Sequence, residues 1–213
     1  MHRDHPQAIS KFSQADSAAS TDPLAEFWRD APVTPMTDDA YGHKVAAHAT
    51  EIRSRWTASN LYFLFACPYQ ELHLKPHTVL DQPTPGLWNW DVAEVFIGAP
   101  DGPIDRYKEF EISPQSEWLD LDIDLKQPDK VALTSWKSGF QAAAHIAHTQ
   151  KIWYGSMRIP YASLKAGEAN AGDILRINFF RSQGTKPVEM AWQPPLQASF
   201  HAPEQFGELK LVR

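Results

Sequence analysis

The sequence predicts an all-β chain: an antiparallel β-sandwich of about ten strands, jelly-roll-like, with at most short helical turns. Many short β-like runs alternate with turn-forming residues, drawn from 17 Pro and 10 Gly in 213 residues. No long segment holds a 3.6-residue apolar period. At 43% hydrophobic and 22% charged, the composition is globular, and the length suits one core.

Residues 1–22 are polar, lack periodic apolar positions and read as a flexible lead-in outside the fold, leaving 23–213 as the domain. Ile52 to Thr57, the turn-forming Ala58-Ser59-Asn60 and Leu61 to Cys67 form a hairpin. Its second arm is nearly unbroken in apolar character, as in a central strand covered on both faces. Asp91 to Gly98, Arg106 to Ser113 and Trp118 to Leu125 follow as strands that pair in order, the first two separated by Ala99-Pro100-Asp101-Gly102-Pro103. Phe140 to His148, Lys151 to Ile159, Ile174 to Arg181 and Leu209 to Val212 complete the set. A helical turn is expected at Pro160 to Leu164, where Pro suits a first helical position.

Several functional classes are disfavoured at once. Twenty basic against 26 acidic side chains give a net charge of −6, with no Lys/Arg cluster, which points away from nucleic acid and anionic membranes. No apolar run reaches the roughly 18 residues of a membrane span. The polar start, Met1 to Thr21, is no signal peptide. The chain is therefore expected to be secreted or periplasmic if an export signal has been removed, and cytoplasmic otherwise. Cys67 is the sole cysteine, so no internal disulfide and no Cys-based zinc site can form.

The candidate chemical groups are few. Asp120, Asp122 and Asp124 alternate with Leu119, Leu121, Ile123 and Leu125, a strand with one solvated acidic face. An EF-hand starting at Asp120 would need Gly and Glu where Leu125 and Val131 stand. His73 and His77 have Pro76 between them, and His145 and His148 fall on opposite strand faces. No nucleophile elbow, phosphate loop or dinucleotide fingerprint occurs. Glu94, Glu109 and Glu111 could form a hydrolytic pair if two of them stood about 5–9 Å apart, yet they serve equally as acceptors for sugar hydroxyls. Trp88 and Trp90 sit behind Pro83, Pro85 and Gly86, in a loop rather than a packed element, and Trp192 precedes Pro194-Pro195 at a strand edge.

The run Trp88 to Glu94 followed by Val95-Phe96-Ile97 resembles the family 9 carbohydrate-binding modules. Leu61 to Phe65, Tyr107 to Pro114, Ile174 to Arg181 with Trp192, and the closing Phe200 to Gly207 match further family segments in order, from about residue 23 to the C-terminus. The resemblance implies a binding module rather than an enzyme. Trp88 and Trp192 would clamp a sugar ring, with Glu94 accepting hydrogen bonds from its hydroxyls. Where the family carries a sugar-binding Arg this chain has Glu111, and Arg181 would supply the compensating donor. It also implies calcium as a structural ion, a mono-, oligo- or polysaccharide ligand, a role in polysaccharide breakdown, and a glycoside hydrolase or larger saccharide-processing protein as partner. Two other readings compete: a haem-carrying DOMON-type electron-transfer sandwich with Met and His axial ligands, and a glycoside hydrolase using Glu94 with Glu109 or Glu111.

Overall fold

A computed structural model describes residues 6–99, 101–127, 131–132 and 136–213. Pro100, in the turn expected between two strands, and residues 1–5 of the lead-in lie outside the described residues. Fourteen strands occur among them. These are β1 (Gln7–Phe12), β2 (Val33–Met36), β3 (Asp38–Asp39), β4 (Thr50–Trp56), β5 (Asn60–Pro68), β6 (Val92–Gly98), β7 (Arg106–Ile112) and β8 (Trp118–Asp124). They continue as β9 (Val131–Ala132), β10 (Gln141–Ala147), β11 (Ile152–Pro160), β12 (Ile174–Gln183), β13 (Val188–Ala191) and β14 (Gly207–Val212). The helical content is short 3-10 turns only, one at Tyr161–Ser163 with Pro160 at its N-cap.

The strands form two halves. One runs β10-β11-β5-β4, with β2 added to β4; the other runs β14-β12-β6-β7-β8-β9, with β13 on β12 and β3 on β13. The β6-β7-β8 meander and the β4-β5 hairpin pair antiparallel as the turn residues dictate. Strand β5 lies between β4 and β11 and is covered on both faces. Leu61, Phe63, Phe65 and Cys67 enter the inter-sheet core, and Tyr62 and Leu64 pack under Trp28 on the outside.

Two expectations are corrected. The strand count exceeds ten, and the pairing is not purely antiparallel, because β1 runs parallel to both β14 and β4. That strand hydrogen-bonds the halves into one nearly closed, barrel-like ladder. It also lies within the segment expected to be a flexible lead-in. Residues after β1 are tied down as well. Asp16 Oδ1 accepts from Asn60 Nδ2 at 3.0 Å and Tyr62 Oη at 2.9 Å, and Trp28 Nε1 donates to the Ser20 carbonyl at 2.9 Å. The polar side chains that make the segment look disordered are the ones that bind it to the sheet.

The core lies between the halves. Ile52, Trp56, Phe63, Phe65, Trp153 and Met157 from one face meet Val95, Ile97, Phe110, Ile112, Ile177 and Phe179 from the other. Side chains of alternating parity on β6, β7, β8 and β12 point away from that core. There Val92, Phe96, Tyr107, Leu119, Leu121, Ile123, Phe180 and Phe206 build a second apolar cluster on the sheet's outer face. This second face carries the candidate site. The Asp120, Asp122 and Asp124 side chains face the other way and are partly exposed. Asp122 pairs with Lys108 and Asp124 with Arg106, each at 2.6 Å, as expected of a solvated strand face.

Candidate functional site

A cavity of about 280 Å³ opens on this outer face, bordered by Trp88, Glu94, Phe96, Glu109, Ser182, Glu189, Phe200 and His201 among others. Its volume is at the small end of the roughly 300–1,000 Å³ usual for small-molecule sites, a size for one sugar unit rather than a long chain.

Trp88 forms one wall. Gly86, with φ +76°, reverses the chain into the 3-10 turn Leu87–Asn89, a backbone conformation that glycine adopts without a Cβ penalty. Asn89 Nδ2 donates to the Gly86 carbonyl at 3.0 Å. Leu87 plugs into the outer apolar cluster, which leaves the adjacent Trp88 ring 47% exposed. Because Leu87 anchors the turn, the indole can stay in solvent without the loop collapsing.

The loop between β13 and β14 supplies more of the lining, through Ala198, Phe200 and His201. Phe200 stacks on Phe180 with ring centroids 4.3 Å apart and planes 15° from parallel. The His201 ring stacks on Phe96 at 5.5 Å, and its Nδ1 lies 2.5 Å from Tyr107 Oη.

The floor is acidic. Glu94 of β6 stands directly across the ladder from Glu111 of β7, with Glu109 two residues along the same face. All three are buried, at 2%, 0% and 3% exposure. Burial pushes each carboxyl above its ordinary range, and mutual repulsion pushes Glu94 and Glu111 further; Glu109 is raised to about 7. Burial also raises Glu189 at the edge.

These shifts have a stability consequence with a definite sign. Below the unfolded-state value near pH 4.3 both states are protonated and the cluster costs nothing. As pH rises further, the unfolded chain releases protons that the fold retains, so stability falls until the folded-state values are passed. Glu111→Gln is therefore expected to melt with the parent near pH 4 and above it near pH 8, by calorimetry. A parallel offset at both pH values would remove the cluster from the account.

The predicted residues divide into two groups. Trp88 and Glu94 line one cavity, and Glu111 is fully buried behind Glu94. Trp192 is not brought to them. It follows Ala191, its N–H donates to the Phe179 carbonyl, and its ring packs on Phe179 at 5.6 Å and over Gly207. Phe179 belongs to the inter-sheet core, so the two indoles lie on opposite faces of the sheet and do not form a slot.

Arg181 is likewise on the core side, at 0% exposure. Its guanidinium donates to the His48 carbonyl at 3.2 Å, Thr50 Oγ1 at 3.0 Å and the Pro68 carbonyl at 2.6 Å, and to Gln183 Oε1. It cannot act as a donor in the cavity.

Ser182, Glu189 and Ala198 are cavity groups that the sequence did not mark, and Phe200 and His201 were marked only as part of the closing family segment, not as site residues. The one available signal was parity: Glu94 and Phe96, and Glu109 and Glu111, are spaced two apart on adjacent strands, which defines one face. Nothing periodic marks a loop such as 192–206.

Among the described residues no group of three His, Cys, Asp or Glu side chains is disposed to hold a metal ion. The calcium implied by resemblance thus finds no such group, and nothing in the cavity's chemistry depends on it. No helix among them is long and apolar enough to cross a membrane.

Over 97% of the chain, the structure is similar to a candidate carbohydrate-binding protein from Bacteroides uniformis ATCC 8492, with a TM-score of 0.77, 16% identity and 99% of that chain covered. It is also similar to a family 9 carbohydrate-binding module from Caldicellulosiruptor kristjanssonii in complex with cellotriose, with a TM-score of 0.65, 13% identity and 94% of that chain covered. The glucose complex of a family 9 module from the same organism gives 0.64. An extracellular protein of Arthroderma benhamiae is 26% identical over 140 residues, 59% of this chain; the match spans 63% of that relative's length. The sequence profile described as "Carbohydrate family 9 binding domain-like" matches residues 22–213, and the chain belongs to that family.

Proposed function

We propose that this domain binds a saccharide without transforming it, gripping one sugar unit between Trp88 and Phe200 over the carboxylate floor. The observation that carries this reading is the half-exposed Trp88 on the lining of a small cavity that also includes Phe200, His201 and buried carboxyls. Pyranose rings present apolar C–H faces and a polar rim, so flat rings cover the faces and carboxylates read the rim. The glucose- and cellotriose-bound structures of similar fold support the ligand class. The extracellular relative supports action outside the cytoplasm; the proposed role there is in polysaccharide breakdown beside a glycoside hydrolase or a larger saccharide-processing protein.

Glu94 facing Glu111 is the one arrangement that suggests hydrolysis. A retaining or inverting pair needs one acid and one ionised partner. Here desolvation raises every member of the cluster, leaving no carboxylate specifically stabilised as a nucleophile or base. Binding is the better use of the site.

Trp88→Ala is expected to lose about 2 kcal/mol or more of binding energy, roughly thirtyfold in Kd, with an unchanged circular-dichroism spectrum. Phe200→Ala tests the loop's share of the lining. Glycan-array screening of the intact chain identifies the ligand, and calorimetry measures the variants. If both variants bind the best sugar as the parent does, this cavity is not the site.

A further inference from the structure

The distribution of charge around the cavity restricts the ligand further. Glu94 on β6, Glu109 on β7 and Glu189 on β13 line it, and Glu111 backs them. Glu109 Oε2 and both carboxyl oxygens of Glu111 are buried with no donor from any other kind of side chain, and the two carboxyls have only each other. No Lys or Arg lines the cavity among the described residues. Lys108 faces away, paired with Asp122 and lying over Trp136, and Arg181 is held by carbonyls on the core side of β12. His201, also in the lining, has its Nδ1 2.5 Å from Tyr107 Oη. Buried acceptors without donors are costly, and a ligand that brings both donors and positive charge relieves that cost. The aromatic walls share the preference, because the π faces of Trp and Phe attract cations.

Resting on the reading of the cavity as a saccharide site, we infer that its ligand is an amino sugar: a hexosamine unit with a free, protonated amine. Its ammonium group seats on the Glu94, Glu109 and Glu189 carboxyls, its charge displacing protons that burial holds there, while its ring lies between Trp88 and Phe200. An ammonium carries three donors and a full charge, in a site where water screens weakly. A neutral hexose brings donors but no charge. N-acetylation removes the charge, and a uronate adds repulsion. A deacetylated aminopolysaccharide is the polymer that displays such units.

The test is calorimetry of the intact chain at low salt near neutral pH with glucosamine, glucose, N-acetylglucosamine and glucuronate. Glucosamine is expected to bind at least about tenfold more tightly than glucose, and glucuronate least. Glu109→Gln is expected to bring the glucosamine-to-glucose ratio close to parity. Glu189→Gln, on the less buried β13, does the same if the first variant fails to fold. Glucose binding as tightly as glucosamine overturns the amine assignment and leaves the saccharide reading standing. Binding of none of the four sugars overturns the amine assignment, and an empty glycan array besides overturns both. A ratio unchanged in a folded Gln variant also overturns the amine assignment.

Discussion

A chain lacking residues 1–12 is expected to be insoluble or to melt well below the full-length protein. Strand β1 pairs with β14 over five register positions and with β4 over two, parallel in both cases. It is the only strand that hydrogen-bonds one half to the other among the described residues. Inward, Ala8 enters the core, Ser10 Oγ accepts from Ser54 Oγ at 2.8 Å, and at the strand's end Phe12 packs on Trp56 with ring centroids 4.7 Å apart. Removing it unpairs the backbone of β14 and β4 and opens the core beneath. Ladder hydrogen bonds at about 1 kcal/mol each give a loss on the order of 5 kcal/mol or more. For a domain of this size that is a drop of roughly 10–20 °C in Tm. The newly bare edges would also invite pairing with other chains. Thermal melts and size-exclusion profiles of the truncated and full chains decide the matter. A truncated chain that stays monomeric and melts within a few degrees of the parent would mean that β1 is an ornament.

Arg181→Met is expected to destabilise by about 3–5 kcal/mol, lowering Tm by roughly 10 °C or more. The guanidinium is buried and satisfies the His48 and Pro68 carbonyls, and its charge faces Asp91. Asp91 in turn accepts from Gln183 Nε2 at 3.0 Å and from the Gly184 N–H at 2.6 Å. Methionine keeps an apolar stem of similar width but lacks the guanidinium, and so leaves those acceptors stranded. Saccharide affinity of the folded variant is expected to match the parent, because Arg181 lies on the sheet face away from the cavity. A variant that melts normally but loses its sugar would return Arg181 to the binding site.

The contrast between Trp88 and Trp192 shows what the sequence can and cannot encode. Both indoles flank a strand and a turn, and local composition reads the same for each. What separates them is parity: a shift of one residue along β13 exchanges the faces of a sheet, and Trp192 falls beside Phe179 rather than Phe180. The strands themselves were legible because β5, β6 and β8 announce burial through apolar runs or strict alternation. Strand β1 was not legible, since Ala8 and Ser10 are too small to give a hydrophobic signal and parallel pairing leaves no hairpin turn to mark it. Glu94 was found through its place after Trp88, whereas Phe200 and His201 come from a loop whose path only tertiary packing fixes.

Strand β12 sorts its duties by alternate residues. Ile177, Phe179 and Arg181 hold the two halves together, while Phe180 joins the outer apolar cluster and Ser182 faces the proposed saccharide cavity. Selection can therefore exchange the outward set, and with it the taste for one sugar over another, while the inward set keeps the scaffold intact. A lineage built on such a strand can diversify its recognition without first acquiring spare stability.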